Sequence, residues 1–548
     1  MPPPYRELLD QLRRQFPQPV SDPAHDDYIV SSIQRALDQV DSMKGPTPVL
    51  GSPAGPDYAA ALAARIAENA RPLEEVVAEL VRQLEGMLIW GHPGSQVNVI
   101  VQPSIAGIIG VLLASMYNPN LCSDESGRGV SAAEVRAAAM AAELVGYDAN
   151  SSDGIFTFGG TGCMLYALKV GLEKCLPGSL RHGIRGEAVV LAGAASHYSV
   201  LNVAGWLGLG QDRVLLVPTG RDNAIRLDQL ADAARDALGS GRKIAAIVAT
   251  LGSTDAFALD DLDRIHALRE ELVAQFSLDY RPHLHADAVI GWAWSVFNDY
   301  EYVRNELGFR GRTVRALAAA QRRIRHLPLA DSIGIDFHKT GYAPYISSLV
   351  LFRDRRDLER IRRGRESMPY LYQSGERHPG MFTLETSRGG GGPMAALANL
   401  LLLGKAGLRA LLGHAVEMAE ILREKLESRR DLAVLNGDNV GPVTLFRVYP
   451  PDVDALAIQE RERNDPSFHE RLLAYNRLNQ RVFERIHAEA LAGRGVVISL
   501  TGCYRATDYG APIAALKSYV LSPFSDEGQM RTVVEHVLAA RDAVSREA

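Results

Sequence analysis

Lys339 closes the run Ser332-Ile-Gly-Ile-Asp-Phe-His-Lys339 and is followed by Thr340-Gly-Tyr, which reads as a loop rather than an exposed helical face. A lysine at a strand end in a cleft loses water, which lowers its pKa and makes it an imine-forming amine. His285-Ala-Asp287-Ala-Val289 ends another apolar run, and in open α/β sheets the polar groups at the carboxyl ends of strands share one crevice. Asp287 there can keep a pyridinium nitrogen protonated, the partner that pyridoxal phosphate needs as an electron sink; a turn-capping aspartate is the plainer alternative. Phe158-Gly159-Gly160-Thr161-Gly162 is a glycine turn opening a helix, whose free N–H groups and positive dipole end suit a single phosphate. It matches neither G-x-x-x-x-G-K-[ST] nor G-x-G-x-x-G. His197, in Ala195-Ser-His197-Tyr-Ser, can stack on a flat cofactor or shuttle protons near neutral pH, unless it is an ordinary core histidine. Thr250-Leu-Gly-Ser-Thr254 ends a further run in hydroxyls. Five strand ends that each deliver a polar group point to one site.

The elements that must position these groups lie between about residues 145 and 355. There the short apolar runs Glu187-Ala-Val-Val-Leu-Ala, Arg213-Val-Leu-Leu-Val-Pro, Lys243 to Thr250, His283 to Asp287, Ser332 to Asp336 and Ser348-Leu-Val-Leu-Phe alternate with helical patterns such as Leu259 to Phe276. Continuous apolar strands separated by amphipathic helices indicate an α/β fold with a mostly parallel sheet covered on both faces. Upstream, the Pro/Gly-rich stretch Gly45 to Pro56 breaks any helix or strand, so residues 1–95 read as a helical arm rather than a domain. Residues 96–390 then form the large domain. The glycine run Gly389 to Gly392 and Pro393 interrupt the pattern, and residues 391–548, with strand candidates Pro442 to Val448 and Gly495 to Leu500, read as a small α+β domain.

At 548 residues with 47% hydrophobic and 23% charged residues, the chain is long enough for two or three lobes and neither disordered nor fibrous in composition. The 59 Lys and Arg against 65 Asp and Glu give a net charge of −6 with no basic stripe, so a small molecule is expected as partner and nucleic acid is not. Four well-separated cysteines without a C-x-x-C pair indicate a reducing compartment and no zinc site. The N-terminus lacks a basic region followed by an apolar run, so a cytoplasmic location is expected. The most membrane-like stretch, Ser104 to Tyr117, is short of the ~20 residues needed to span a bilayer and reads as a buried helix.

Together these segments resemble the group II pyridoxal-phosphate amino acid decarboxylases. The resemblance covers roughly residues 85 to 400. It rests on Gly91-His-Pro93, Tyr117-Asn-Pro119, Gly160-Thr161-Gly162, Ser196-His197-Tyr-Ser, Ala249-Thr250-Leu-Gly-Ser-Thr254, His285-Ala-Asp287-Ala and Ala330-Asp-Ser332-Ile-Gly-Ile-Asp-Phe-His338-Lys339. It implies a fold-type I (aspartate-aminotransferase-like) enzyme that binds pyridoxal 5'-phosphate through an imine to Lys339. By the same resemblance Asp287 meets the ring nitrogen and His197 covers the ring. Gly160, Thr161, Gly162, Ser332 and His338 bind or surround the phosphate, while Thr250 and Val289 line the ring, Val289 where relatives usually have alanine.

The resemblance also implies a mobile loop about 30 residues past the lysine, with a tyrosine that protonates the substrate carbon. Tyr370 in Met368-Pro-Tyr370-Leu-Tyr372-Gln fits that place, with Tyr372 as the alternative. Gln96-Val-Asn98 and His338 to Tyr345 look similar to bacterial tyrosine decarboxylases, which implies a tyrosine-like substrate and makes Asn98 a candidate substrate contact. Arg388 in Thr386-Ser-Arg388-Gly either holds a substrate carboxylate, keeping glutamate- or aspartate-like substrates open, or makes a salt bridge. An aldehyde-forming or transaminating enzyme of the same fold is the other alternative. The resemblance also implies a homodimer with a shared active site.

Overall fold

The computed structural model describes residues 5–52, 55–364, 366, 368 and 370–547. Its larger sheet has seven strands in the order β2-β8-β7-β6-β5-β3-β4: β2 (Asp153–Thr157), β3 (Ala188–Gly193), β4 (Val214–Val217), β5 (Lys243–Thr250), β6 (His283–Asp287), β7 (Ser332–Asp336) and β8 (Ser348–Phe352). All pairs are parallel except those made by β8, which runs antiparallel to both β2 and β7. The strands are buried on both faces, which explains their unbroken apolar runs. A second sheet, order β1-β11-β12-β10-β9, joins β1 (Ser95–Gln96) to β9 (Leu432–Val434), β10 (Val443–Val448), β11 (Val497–Ala506) and β12 (Pro512–Tyr519).

Among the helices are α1 (Ile105–Tyr117), α2 (Asp124–Val145), α3 (Gly160–Cys175), α4 (Gly391–Glu427) and α5 (Glu527–Arg546). The two domain boundaries read from the sequence are less sharp in the fold. β1 pairs in parallel with Val497 and Ile498, so the chain at residues 95–96 belongs to the C-terminal sheet. α4 spans the second boundary: its first part packs on α1 and α2, its last part on α5, and Gly404 (φ 55°) kinks it between the two. Among the described residues α4 is the one helix long and apolar enough, by length and composition, to cross a membrane; the kink divides it into two helices, and a third of its most apolar stretch is buried inside the protein.

α1 differs from the buried helix expected of it. Its small residues Gly107, Gly110 and Ala114 face inward, and a Cβ on Gly110 would lie 2.8 Å from the Met394 carbonyl oxygen of α4. Its large residues, among them Ile105, Ile108, Leu113 and Tyr117, are exposed together with Leu401 and Leu402 of α4. The four helices between Tyr5 and Arg82 bury a single residue, Val81. The accessible surface is 25734 Å², well above the roughly 19,000 Å² of a compact monomer of 59.6 kDa.

α3 lies closely against the larger sheet because Gly171 lacks a side chain: a Cβ there would meet the Ala245 carbonyl oxygen at 2.5 Å and His283 Cβ at 3.2 Å. Gly171→Ala is expected to lift the helix and destabilise the fold by about 1–3 kcal/mol, read as a lower urea midpoint with unchanged m-value.

Candidate active site

The carboxyl ends of β2, β3, β5, β6 and β7 lie along one edge of the larger sheet, and the polar residues singled out in the sequence follow from them. β2 runs into Phe158 and Gly159, whose φ of 120° only glycine adopts without strain, and α3 begins at Gly160. Gly162 and Cys163 donate to the Gly159 carbonyl, while the N–H groups of Gly160 and Thr161, in the first turn of α3, have no partner among the described residues. A Cβ on Gly159 would meet nothing within 4 Å, and one on Gly160 would meet the Asp336 carboxylate and Val289 at 3.1 Å. The turn is therefore an open cradle of unused donors at a helix N-terminus, the surroundings a phosphate requires.

Register aligns the rest. Thr250 pairs with Asp287 and Asp287 with Gly334 across β5, β6 and β7. Thr250 is fixed by its N–H to Asp260 Oδ2 (2.7 Å) and its hydroxyl to Ser196 Oγ (2.9 Å), which ties the His197 segment to the same edge. Asp287 is buried, and the burial pushes its pKa up to about 6 against the opposing pull of Lys339. Lys339 Nζ lies 2.9 Å from Asp336 Oδ2. Burial alone would push the lysine down, as the sequence suggested, but the Asp336 carboxylate outweighs it and holds the pKa above the ordinary lysine value. His197 accepts the Ser199 N–H at Nδ1 (3.2 Å), and burial, then the Lys339 charge, pushes its pKa down, so a neutral ring faces the crevice.

Asp336 is the residue that sequence reasoning passed over, although it sits in the motif that carries Lys339. It is 1% exposed, accepts from Ser348 Oγ (2.6 Å) and stands 3.6 Å from His338 Nε2. His338 lies behind it, bonded at Nδ1 to the Ser347 backbone, with its ring 4.1 Å from that of Tyr345.

Several expected contacts are not assembled. Ser332 begins β7, about 13 Å of strand away from Asp336 at its other end; it is fully buried between His283 and His285 and does not meet the phosphate cradle. Arg388 does not offer its charge to a substrate: it is buried, paired with Glu134 and bonded to the Leu121 and Phe156 carbonyls. Asn98 occupies an exposed left-handed turn (φ 49°) and has no hydrogen bond to the crevice residues. Tyr370 is 71% exposed, on a segment whose neighbours Tyr372, Ser374, Glu376 and Arg377 donate backbone N–H groups to Glu125 and Asp124 at the start of α2. Tyr372 itself is buried beside His378. Beside the crevice, a cavity of about 330 Å³ is lined by Phe158, Tyr345, Ile346, Glu385 and Ser387, with Arg388 in its wall.

A family model, the pyridoxal-dependent decarboxylase conserved domain, matches residues 56–449. The chain belongs to this family. It is 25% identical over 412 residues to L-2,4-diaminobutyrate decarboxylase of Rhizobium meliloti, covering 74% of each chain. It is 27% identical over 305 residues to L-tyrosine decarboxylase of Enterococcus faecalis, covering 53% of this chain and 47% of that one. The crystal structure of Oryza sativa TDC with PLP and tryptamine superposes with a TM-score of 0.75 at 17% identity, over 96% of this chain and 99% of that one, which shows a shared fold. The protein is thus a pyridoxal-phosphate-dependent amino acid decarboxylase of fold type I, and the crevice fits the cofactor: an anion cradle at α3, a carboxylate at Asp287 and an amine at Lys339.

Two outcomes test this architecture. Arg388→Ala leaves the Glu134 carboxylate buried and unpaired, and is expected to cost roughly 3–5 kcal/mol in urea unfolding. Asp287 has a raised pKa in the folded state, so its contribution to stability is fully present below the ordinary carboxylate range and is lost as pH rises through about 6. Asp287→Asn should therefore stabilise the cofactor-free protein at pH 8 by roughly 1–3 kcal/mol, a gain that shrinks toward pH 4.5.

Proposed function

We propose that this decarboxylase acts on an L-amino acid with an aromatic, tyrosine-like side chain and releases the corresponding amine. The observation that carries the reading is the cavity beside the crevice, lined in part by Tyr345. Phe158 precedes the phosphate cradle, Tyr345 packs on His338, and Ile346 and Val111 add apolar wall. A cavity with apolar and aromatic walls suits an aromatic side chain. The guanidinium in its wall is already neutralised by Glu134, which disfavours glutamate- and aspartate-like substrates.

Bound pyridoxal phosphate supplies the electron sink for the pair released when the carboxylate leaves as carbon dioxide. In this reading Gly160 and Thr161 would anchor the phosphate through their N–H groups, Lys339 would hold the aldehyde carbon and Asp287 would keep the ring nitrogen protonated. In the cofactor-free protein Asp336 holds the proton on the Lys339 amine. His197, neutral and half-buried, covers the ring and excludes water. Tyr370 returns a proton to the substrate α-carbon. It does so from the loop anchored on Glu125 and Asp124, which leaves its side chain outside the crevice of its own chain. Such a placement is useful in a homodimer, and the exposed apolar face of α1 and α4 and the large accessible surface support one.

A second reading, a diamino acid substrate, is favoured by Glu385, whose carboxylate lines the same cavity while accepting from the Tyr166 hydroxyl at 2.8 Å. Carbon dioxide release across a substrate panel separates the two. Tyrosine, phenylalanine or tryptophan is expected to exceed aspartate, glutamate and 2,4-diaminobutyrate by about 100-fold in kcat/KM, and Lys339→Ala to abolish turnover. A preference for the diamino acid that Glu385→Gln removes would replace the aromatic reading.

A further inference from the structure

Under α3, behind the crevice, runs a row of polar side chains that none of the roles above uses. His283, His285 and Asp287 alternate along β6 and so point to one face of the sheet. Ser332 of β7 stands between the histidines, its Oγ 2.8 Å from His283 Nε2 and 2.8 Å from His285 Nδ1. At the far end of α3, Lys174 places Nζ 3.0 Å from His283 Nδ1 and 2.6 Å from Asp357 Oδ2. His283, His285 and Ser332 are sealed from water.

The row has one direction. An ammonium has only hydrogens to give, so His283 Nδ1 accepts, and a neutral ring then carries its hydrogen on Nε2. Asp331 does not compete: it lies 3.9 Å from Nδ1 and already takes hydrogens from Arg269, Arg353 and the Leu284 N–H. His283 Nε2 therefore donates to Ser332 Oγ, and the serine hydrogen goes to His285 Nδ1, which leaves the His285 hydrogen on Nε2. Burial keeps both rings neutral, pushing His283 far down and His285 to about 3.

His285 Nε2 faces the gap where a Cβ at Gly334 would lie 3.6 Å from it, with Val289 and Cys163 as the other walls. Apart from the Ser332 hydroxyl and a contact with the Ser332 backbone, nothing among the described residues bonds this ring. The titratable groups about this gap are Asp287 on the same strand, Asp336 on β7, Lys339 just past it, and Cys163 on α3. Residues two apart on one strand face are about 7 Å apart at Cα, within reach of an imidazole and a carboxylate directly or through one water.

We propose that the chain from Lys174 through His283 and Ser332 makes His285 a one-way donor toward Asp287, a positioning residue that keeps this carboxylate ionised and aimed at the cofactor's ring nitrogen. The proposal rests on the assignment of Asp287 to that nitrogen.

The test is the dissociation constant of pyridoxal phosphate, titrated by absorbance into cofactor-free protein. Ser332→Ala is expected to weaken binding about tenfold, Lys174→Met to do the same from the far end of α3, and Ser332→Thr, which keeps the hydroxyl, to restore binding to within about threefold. In an Asp287→Asn background Ser332→Ala should add nothing. A mere packing role weakens binding equally in both backgrounds, and that result, or an unchanged affinity in Ser332→Ala, overturns the proposal. An unchanged affinity in Asp287→Asn alone removes the assignment beneath it and the proposal with it, whereas a weakened Asp287→Asn beside an unaffected Ser332→Ala removes only the proposal. Should Ser332→Ala not fold, the pair at His285 decides. His285→Gln keeps an N–H near Nε2 and is expected to bind within about threefold of wild type, with His285→Leu about tenfold weaker; equal losses in the two variants refute the donor role.

Discussion

Two carboxylates, Asp287 and Asp336, share the Lys339 ammonium at the buried floor of the crevice, and this imbalance of charge governs the site. Asp336 takes the lysine at 2.9 Å, so Asp287 is left buried without a cation of its own, and burial raises its pKa. In a low dielectric an unpaired carboxylate is costly. The arrangement becomes favourable when a second cation arrives beside Asp287 and an anion settles on the unused N–H groups of Gly160 and Thr161. A protonated pyridine ring carrying a phosphate supplies both at once. The cofactor-free protein is thus held in a state whose electrostatics the cofactor completes.

The imbalance can exist only because the sheet and α3 hold these groups so close together. Parallel strands deliver their carboxyl ends to one edge, and register sets Thr250, Asp287 and Gly334 side by side. Gly171 lets α3 approach the sheet to a distance at which any side chain would collide, and at Gly160 and Gly334 a Cβ would be tight against its neighbours. Each glycine sacrifices local propensity for that approach, and each sits where the helix or a strand borders the crevice or the polar row behind it.

Much of this was legible in the sequence because it was local. Buried parallel strands wrote themselves as apolar runs, and the polar residue after each run marked the edge. What escaped was non-local or concealed by short elements. β2, with glycine in a five-residue strand, and β12, an Ala- and Leu-containing run compatible with a helix, carry no clear period. Arg388 looked available because its partner Glu134 is 254 residues away. The resemblance places Ser332 with the phosphate, in the motif that ends at Lys339, but an extended strand carries a residue away from its neighbours as efficiently as a turn brings them together. The direction of the Lys339 shift was misjudged for a related reason: burial was foreseen, whereas the carboxylate three residues earlier was read as part of the motif and not as a charge.

The neutral row beneath α3 follows from the same electrostatic constraint. A further full charge placed behind Asp287 would either compete with the incoming ring nitrogen or, if negative, add to the repulsion already present. Oriented dipoles avoid both. The Lys174 charge is compensated where it stands, by Asp357 at 2.6 Å, so what passes along His283, Ser332 and His285 is polarity without net charge. Buried hydrogen bonds in series polarise one another, and a chain with one permitted direction presents a donor, never an acceptor, at its inner end. A donor is the group that an ionised Asp287 requires on the side its cofactor does not occupy.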